Sequence, residues 1–349
     1  MEHKEKLQMF ESVFAPKPGE KVLFIIDMAH GSLDDSDAWA ALREMAQDWY
    51  KAFKKMGAEM GFSVDILKYE ATGRHNAPIP KEVVDAARRS NLVIAMTEYS
   101  ASSSLKPVCD AAKTITRCAS MPTVERRMEE TAFRANYDQV RAYATAIERM
   151  LNDAVGAEIA FSTRDNLYID LRYRVAESDS GDCSKTGQFI NFPSGEGAKA
   201  PYEATPEEAI RFGESRTEGV LPARYDTELV RYVVRQNRIV DVLGNAKKAS
   251  EMRAFFAEND TRRNIAELGI GCNPNAIVTG NILEDEKVGL HIAYGMSTHL
   301  GGKVKSDMHQ DIVYAKGCPI EGTTVTLINA DDARIELIRD AILQYDLLK

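Results

Sequence analysis

The chain has 349 residues, 44% of them hydrophobic and 28% charged, and a formal net charge of -9 at pH 7. Such a composition supports folded domains and excludes a disordered chain. Its acidity argues against broad phosphate-backbone binding, so no nucleic-acid partner is expected. No run reaches the ~18 apolar residues of a membrane span. The N-terminal stretch lacks an apolar leader, so no membrane partner and no signal peptide are expected. The five scattered cysteines include no C-x-x-C pair and fit reduced thiols in a cytoplasmic protein.

Along the first half, apolar strand-like runs alternate with helical ones. "KVLFIIDMA" reads as a buried strand. The segment after it places Trp39, Leu42, Met45, Trp49, Phe53 and Met56 three or four apart, which predicts one apolar helix face. "SVDILKYE" predicts a strand, "PKEVVDAARRS" a helix and "NLVIAMTEY" a strand, followed by serine-rich "SASSS" and the helix "LKPVCDAAKT". A long helix is expected over "TVERRMEETAFRANYDQVRAYATAIERMLNDA". Strands alternating with helices imply βαβ units and a parallel, Rossmann-like α/β domain over residues 1–155. Neither G-x-G-x-x-G nor G-x-x-x-x-G-K-[ST] accompanies its first strands, so nucleotide binding is not expected.

From "AEIAFSTRDNLYIDLRYRV" onward period-two alternation takes over, with "NAKKASEMRAFFAENDTRRN" as a helix and "ADDARIELIRDAILQYDLLK" expected to close the chain helically. Residues 156–349 are therefore expected to form an antiparallel, β-rich α+β domain.

Four glycine-marked segments of this half hold the candidate chemistry: "NFPSGEGAKAP" with Glu196, "IAELGIGCNPNA" with Glu267, "LEDEKVGLHIAYG" with Glu286 and His291, and "SDMHQDIV" with His309 and Asp311. Residues two apart on a strand share a face, so His309 and Asp311 can act together. Glu267 stands alone in an apolar, glycine-rich run, where a carboxylate must find a cation or take up a proton. Each segment also has a plainer reading. Glu196 fits a solvated turn, Glu286 an exposed charge run, and His291 a core histidine bonded to a carbonyl. Together, four carboxylates and two imidazoles can hold a pair of divalent ions, because bridging carboxylates offset the repulsion between two cations.

These segments, in this order, resemble the metal-site segments of the aminopeptidase T family of metallopeptidases, the M29 class. The resemblance extends upstream through "RANYDQV" and "AEIAFST". It implies that Glu196, Glu267, Glu286, His291, His309 and Asp311 hold two divalent ions (Zn2+, Co2+ or Mn2+), and Glu196 is the candidate carboxylate for carrying the proton. It also implies a homodimer and a peptide or small-molecule amide substrate. The family's tyrosine, seven residues beyond the histidine matching His291, is replaced here by Thr298, followed by His299. That position puts peptide turnover in question and offers His299 for a proton or oxyanion role, although an exposed loop histidine is the plainer reading. The chain also resembles the 2,5-dihydroxypyridine dioxygenases around "GGKVKSDMHQD". Those are mononuclear Fe2+ enzymes with a histidine where Glu267 stands. The ligand count favours a dinuclear hydrolase, most simply an aminopeptidase. The alternative is a small non-peptide substrate, met by cyclic-amide hydrolysis or by Fe2+ ring cleavage.

Overall fold

The computed structural model describes the whole chain, Met1–Lys349, and divides into two compact units. One comprises Met1–Arg141, Asp179–Ser194 and Pro274–Ile277; the other comprises Ala142–Ser178, Gly195–Asn273 and Val278–Lys349. The chain thus passes between units several times, whereas the sequence pattern suggested one boundary near residue 155. Its fold class is α/β plus α+β.

The first unit is built on a parallel sheet with strand order Ser63–Glu70, Lys21–Met28, Leu92–Thr97, Arg117–Pro122, Phe189–Asn191. Its central strands are almost continuously apolar, as strands covered on both faces must be. The helix Asp37–Met60 starts where the Ser36 side chain accepts from the Trp39 N–H, and it ends at left-handed Gly61. It buries Trp39, Leu42, Met45, Trp49, Phe53 and Met56, the stripe expected from the spacing.

The second unit holds two antiparallel sheets. An eight-stranded sheet runs in the order Arg238–Leu243, Glu228–Arg235, Glu218–Tyr225, Asn166–Asp170, Ala154–Phe161, Gly322–Asn329, Arg334–Arg339, Ile342–Leu343. A five-stranded sheet runs in the order His309–Val313, Leu290–Gly295, Ile265–Gly271, Glu196–Lys199, Ala176–Asp179. The strands Ile265–Gly271 and Leu290–Gly295 are buried along their whole length.

Two helical expectations are corrected. The C-terminal segment forms the strands Arg334–Arg339 and Ile342–Leu343 rather than a helix. Asp340 and Ala341 both take positive φ between them, the geometry of a tight hairpin turn, and pairing along Gly322–Asn329 overrides local helix propensity. The long helix expected over residues 123–154 is broken into the 3-10 turns Arg126–Glu130 and Ala132–Arg134 and the helix Tyr137–Asp153. Asn136 restarts the helix, its side chain accepting from the N–H groups of Asp138 and Gln139. No helix is long and apolar enough to cross a membrane.

Candidate metal centre

The five-stranded sheet gathers most of the candidate residues on one face, and its register shows how. Glu267 pairs with Ala293 and Ala293 with Asp311; Gly269 pairs with His291, Gly295 with His309, and Gly271 with Glu196. Cross-strand partners in an antiparallel sheet point the same way, so Glu196, Glu267, His291, His309 and Asp311 share that face. Between them stand Gly269, Gly271, Ala293 and Gly295, which leave room for the functional side chains. A Cβ on Gly269 would sit 1.9 Å from His291 Nε2. The alternation in "ELGIG" therefore supplies a carboxylate and then the space in front of it.

Glu267 is buried and binds a different imidazole with each oxygen. Its Oε1 lies 3.4 Å from His291 Nε2, and its Oε2 lies 3.1 Å from His309 Nε2. Each imidazole also meets a second carboxylate: His291 Nε2 is 3.4 Å from Glu196 Oε2, and His309 Nε2 is 3.3 Å from Asp311 Oδ1. His309 Nδ1 lies 2.7 Å from the Met296 carbonyl, which can only accept, so Nδ1 carries a proton and Nε2 faces the carboxylates. His291 Nδ1 approaches the Gly289 carbonyl in the same way at 3.4 Å.

Glu286 ends the short helix Ile282–Asp285, and its carboxylate binds Lys287. The Lys287 side chain is fully buried, with Nζ 2.7 Å from Glu196 Oε1 and 2.8 Å from Glu286 Oε1. The run "EDEK" has the composition of an exposed charge run, yet Glu284, Asp285 and Lys287 are all buried. Nothing in local composition distinguishes this run from a solvated one. The signal lay in the unusually apolar and glycine-rich segments around it.

Thr298 is exposed at the head of the 3-10 turn Thr298–Leu300. His299 is partly buried beside the centre, its Nε2 4.0 Å from Glu267 Oε2 and its ring perpendicular to His309 at 4.4 Å between centroids.

The carboxylates of this cluster favour positive charge on the imidazoles beside them. Burial opposes charge on His291, but Glu267 and Glu196 outweigh it and hold its pKa up at about 9. Burial likewise opposes charge on His309, and Asp311 and Glu267 raise its pKa well above the ordinary value. Glu267 is pushed up by burial, yet hydrogen bonds from His291 and His309 win and hold it well below the usual carboxylate range. Asp311 follows the same pattern through His309. Glu286 is driven up to about 8, first by burial, with Glu196 and Asp311 adding repulsion that Lys287 only partly offsets.

The donor set fits divalent ions. Glu196 Oε2 is buried and accepts no hydrogen bond, although it faces an imidazole nitrogen. Two groups of ligand atoms, Glu267–His291–Asp311 and Glu267–His299–His309, each lie within 4.8 Å of one another, and Glu267 belongs to both. Ligands held at about 2.0–2.2 Å from one ion lie roughly 3–4 Å from each other, which matches the spacings here.

The sequence model of the 2,5-dihydroxypyridine 5,6-dioxygenase family, NicX, matches residues 16–330. No curated protein matches the chain. Among solved structures, 2,5-dihydroxypyridine dioxygenase from Pseudomonas putida KT2440 is similar with a TM-score of 0.71 and 16% identity, over 98% of both chains. Wild-type AmpT (aminopeptidase T) from Thermus thermophilus is similar with a TM-score of 0.63 and 15% identity, over 98% of this chain and 99% of that one. Such identities establish a shared fold. The match over residues 16–330 goes further: this chain belongs to the 2,5-dihydroxypyridine 5,6-dioxygenase (NicX) family of metal-dependent enzymes.

Proposed function

We propose that the protein is a dinuclear metal-dependent hydrolase acting on amide bonds, most simply an aminopeptidase. The observation that carries this reading is Glu267, which turns one oxygen to each of two imidazoles, each imidazole having its own further carboxylate. That is how a bridging carboxylate is disposed between two cation positions. Bound divalent ions supply Lewis acidity that activates a water molecule and polarises a carbonyl. The chain's own residues do the rest. Lys287 fixes one oxygen of Glu196 and leaves Oε2 facing the centre, where it can accept a proton from water and return it to a leaving amine. The four carboxylates Glu196, Glu267, Glu286 and Asp311 meet a single ammonium, so their negative charge is there to offset that of two divalent ions. Metal analysis together with hydrolysis of amino-acid anilides and dipeptides tests this reading. Less than about one ion per chain, with activity indifferent to chelators, would sink it.

A second reading is ring-opening oxygenation of a dihydroxypyridine-like compound with Fe2+. The family match supports it, as does the group Glu267–His299–His309, two imidazoles and one carboxylate. Oxygen consumption on addition of 2,5-dihydroxypyridine to the Fe2+-loaded protein, with peptides left intact, would establish it over the first.

A further inference from the structure

His299 lies on a loop, but the loop is held from both sides. Ser297 is buried; its N–H donates to the Val304 carbonyl at 3.0 Å, and its carbonyl accepts from Leu300 and Gly302, each at 3.0 Å. The Ser297 hydroxyl donates to Glu203 Oε1 and accepts from the Val304 N–H at 3.2 Å. Glu203 Oε1 also accepts from the Lys303 N–H at 2.7 Å. Glu203 is itself fixed by Arg174, 2.6 Å away, and both side chains are only 3% exposed. Arg174 is held in turn by Glu208 at 2.9 Å. Gly302 is required in this ring, since a Cβ there would fall 2.3 Å from Ser297 Oγ. The side chain delivered by this clamp is His299, whose ring stands edge-on to His309 and whose Nε2 is 4.0 Å from Glu267 Oε2.

From this geometry we infer that His299 is a third imidazole ligand of the metal centre, presented to the His309 position by the Glu203–Ser297 clamp. The inference rests on the metal-centre reading above but not on the reaction assigned to it. The two positions then differ in chemistry. One offers His309, His299 and the shared Glu267; the other offers His291 with Glu267, Glu196 and Asp311, one oxygen of Glu196 being tied to Lys287 and Asp311 also lying 3.3 Å from His309. Imidazole-rich sites prefer borderline transition ions such as Zn2+, Co2+ or Fe2+, while carboxylate-rich sites suit Mg2+ or Mn2+. The first ion is therefore expected at the His299–His309 position, and the second more weakly at His291.

Titrating the metal-free full-length protein with Co2+, followed by visible absorption, and counting imidazoles by X-ray absorption at one equivalent, tests this. The wild type should show two imidazoles on the first ion. His299→Ala should show one, with first-ion affinity reduced by about 100-fold or more. Ser297→Ala should lose about 10- to 100-fold in affinity but keep both imidazoles at saturation, as a positioning residue would. The metal-free His299→Ala protein should unfold at the wild-type temperature, separating ligation from a structural role. Unchanged affinity and imidazole count in His299→Ala would overturn the inference, as would a lowered unfolding temperature of that variant without metal. A wild type that takes up no Co2+ would instead overturn the metal-centre reading on which the inference rests.

Discussion

Two buried carboxylates, one in each unit, sit on central strands of otherwise similar character. Asp27 lies near the end of the strand Lys21–Met28, and Glu267 lies within Ile265–Gly271. Asp27 is met by neutral donors, accepting from Trp39 Nε1 at 3.0 Å and from the N–H groups of Glu98 at 2.8 Å and Tyr99 at 2.9 Å. Burial still prevails there, and its pKa is raised despite those bonds. Glu267 is met by imidazoles backed by further carboxylates, and its pKa falls well below the usual range. A buried carboxylate served by neutral protein donors is an anchor for the chain around it. One that faces titratable groups with excess negative charge behind them is a place for cations.

The sharpest way to break this contrast is Glu267→Ala. It removes the group shared by both ligand sets, and metal affinity should fall by about 100-fold or more, read by metal analysis after dialysis. Retained stoichiometry would mean that Glu267 is an anchor like Asp27. Gly269→Ala probes the same site through space alone: the new Cβ would displace the His291 imidazole from 1.9 Å. Overpacking of this kind costs about 1–3 kcal/mol, and metal uptake should weaken together with stability in denaturant unfolding. Asp27→Ala should behave differently, leaving buried donors unpaired at a cost of about 1–3 kcal/mol while metal uptake stays unchanged. The contrast also shows in pH dependence. In the metal-free protein His291 is held up at about 9, against roughly 6.5 in an unfolded chain. The folded state then binds the extra proton between those values, so this stabilisation is fully present below about 6.5 and is lost as pH rises through about 9. Thermal unfolding against pH should show that loss with a chelator present, and saturating divalent ion should flatten it by replacing the proton.

Much of the fold was legible in the sequence. The parallel sheet followed from apolar runs alternating with helical ones, and the helix Asp37–Met60 from a stripe with 3.6-residue periodicity. The expectation failed at Arg334–Leu343, where residues of good helix propensity are pulled into a hairpin by a neighbouring strand that local sequence does not reveal.

The candidate site divides in the same way. By itself, the sequence determined which side-chain types recur at period two with glycine between them, because strand geometry alone fixes that Glu267, Gly269 and Gly271 share a face. Only the tertiary structure decided which oxygen of Glu267 meets which imidazole, that Lys287 is buried between Glu196 and Glu286, and that a clamp on Ser297 brings His299 to His309. These contacts join residues far apart in the chain, and charges that look solvated in a row of letters become costly, and therefore paired, once the surrounding strands exclude water.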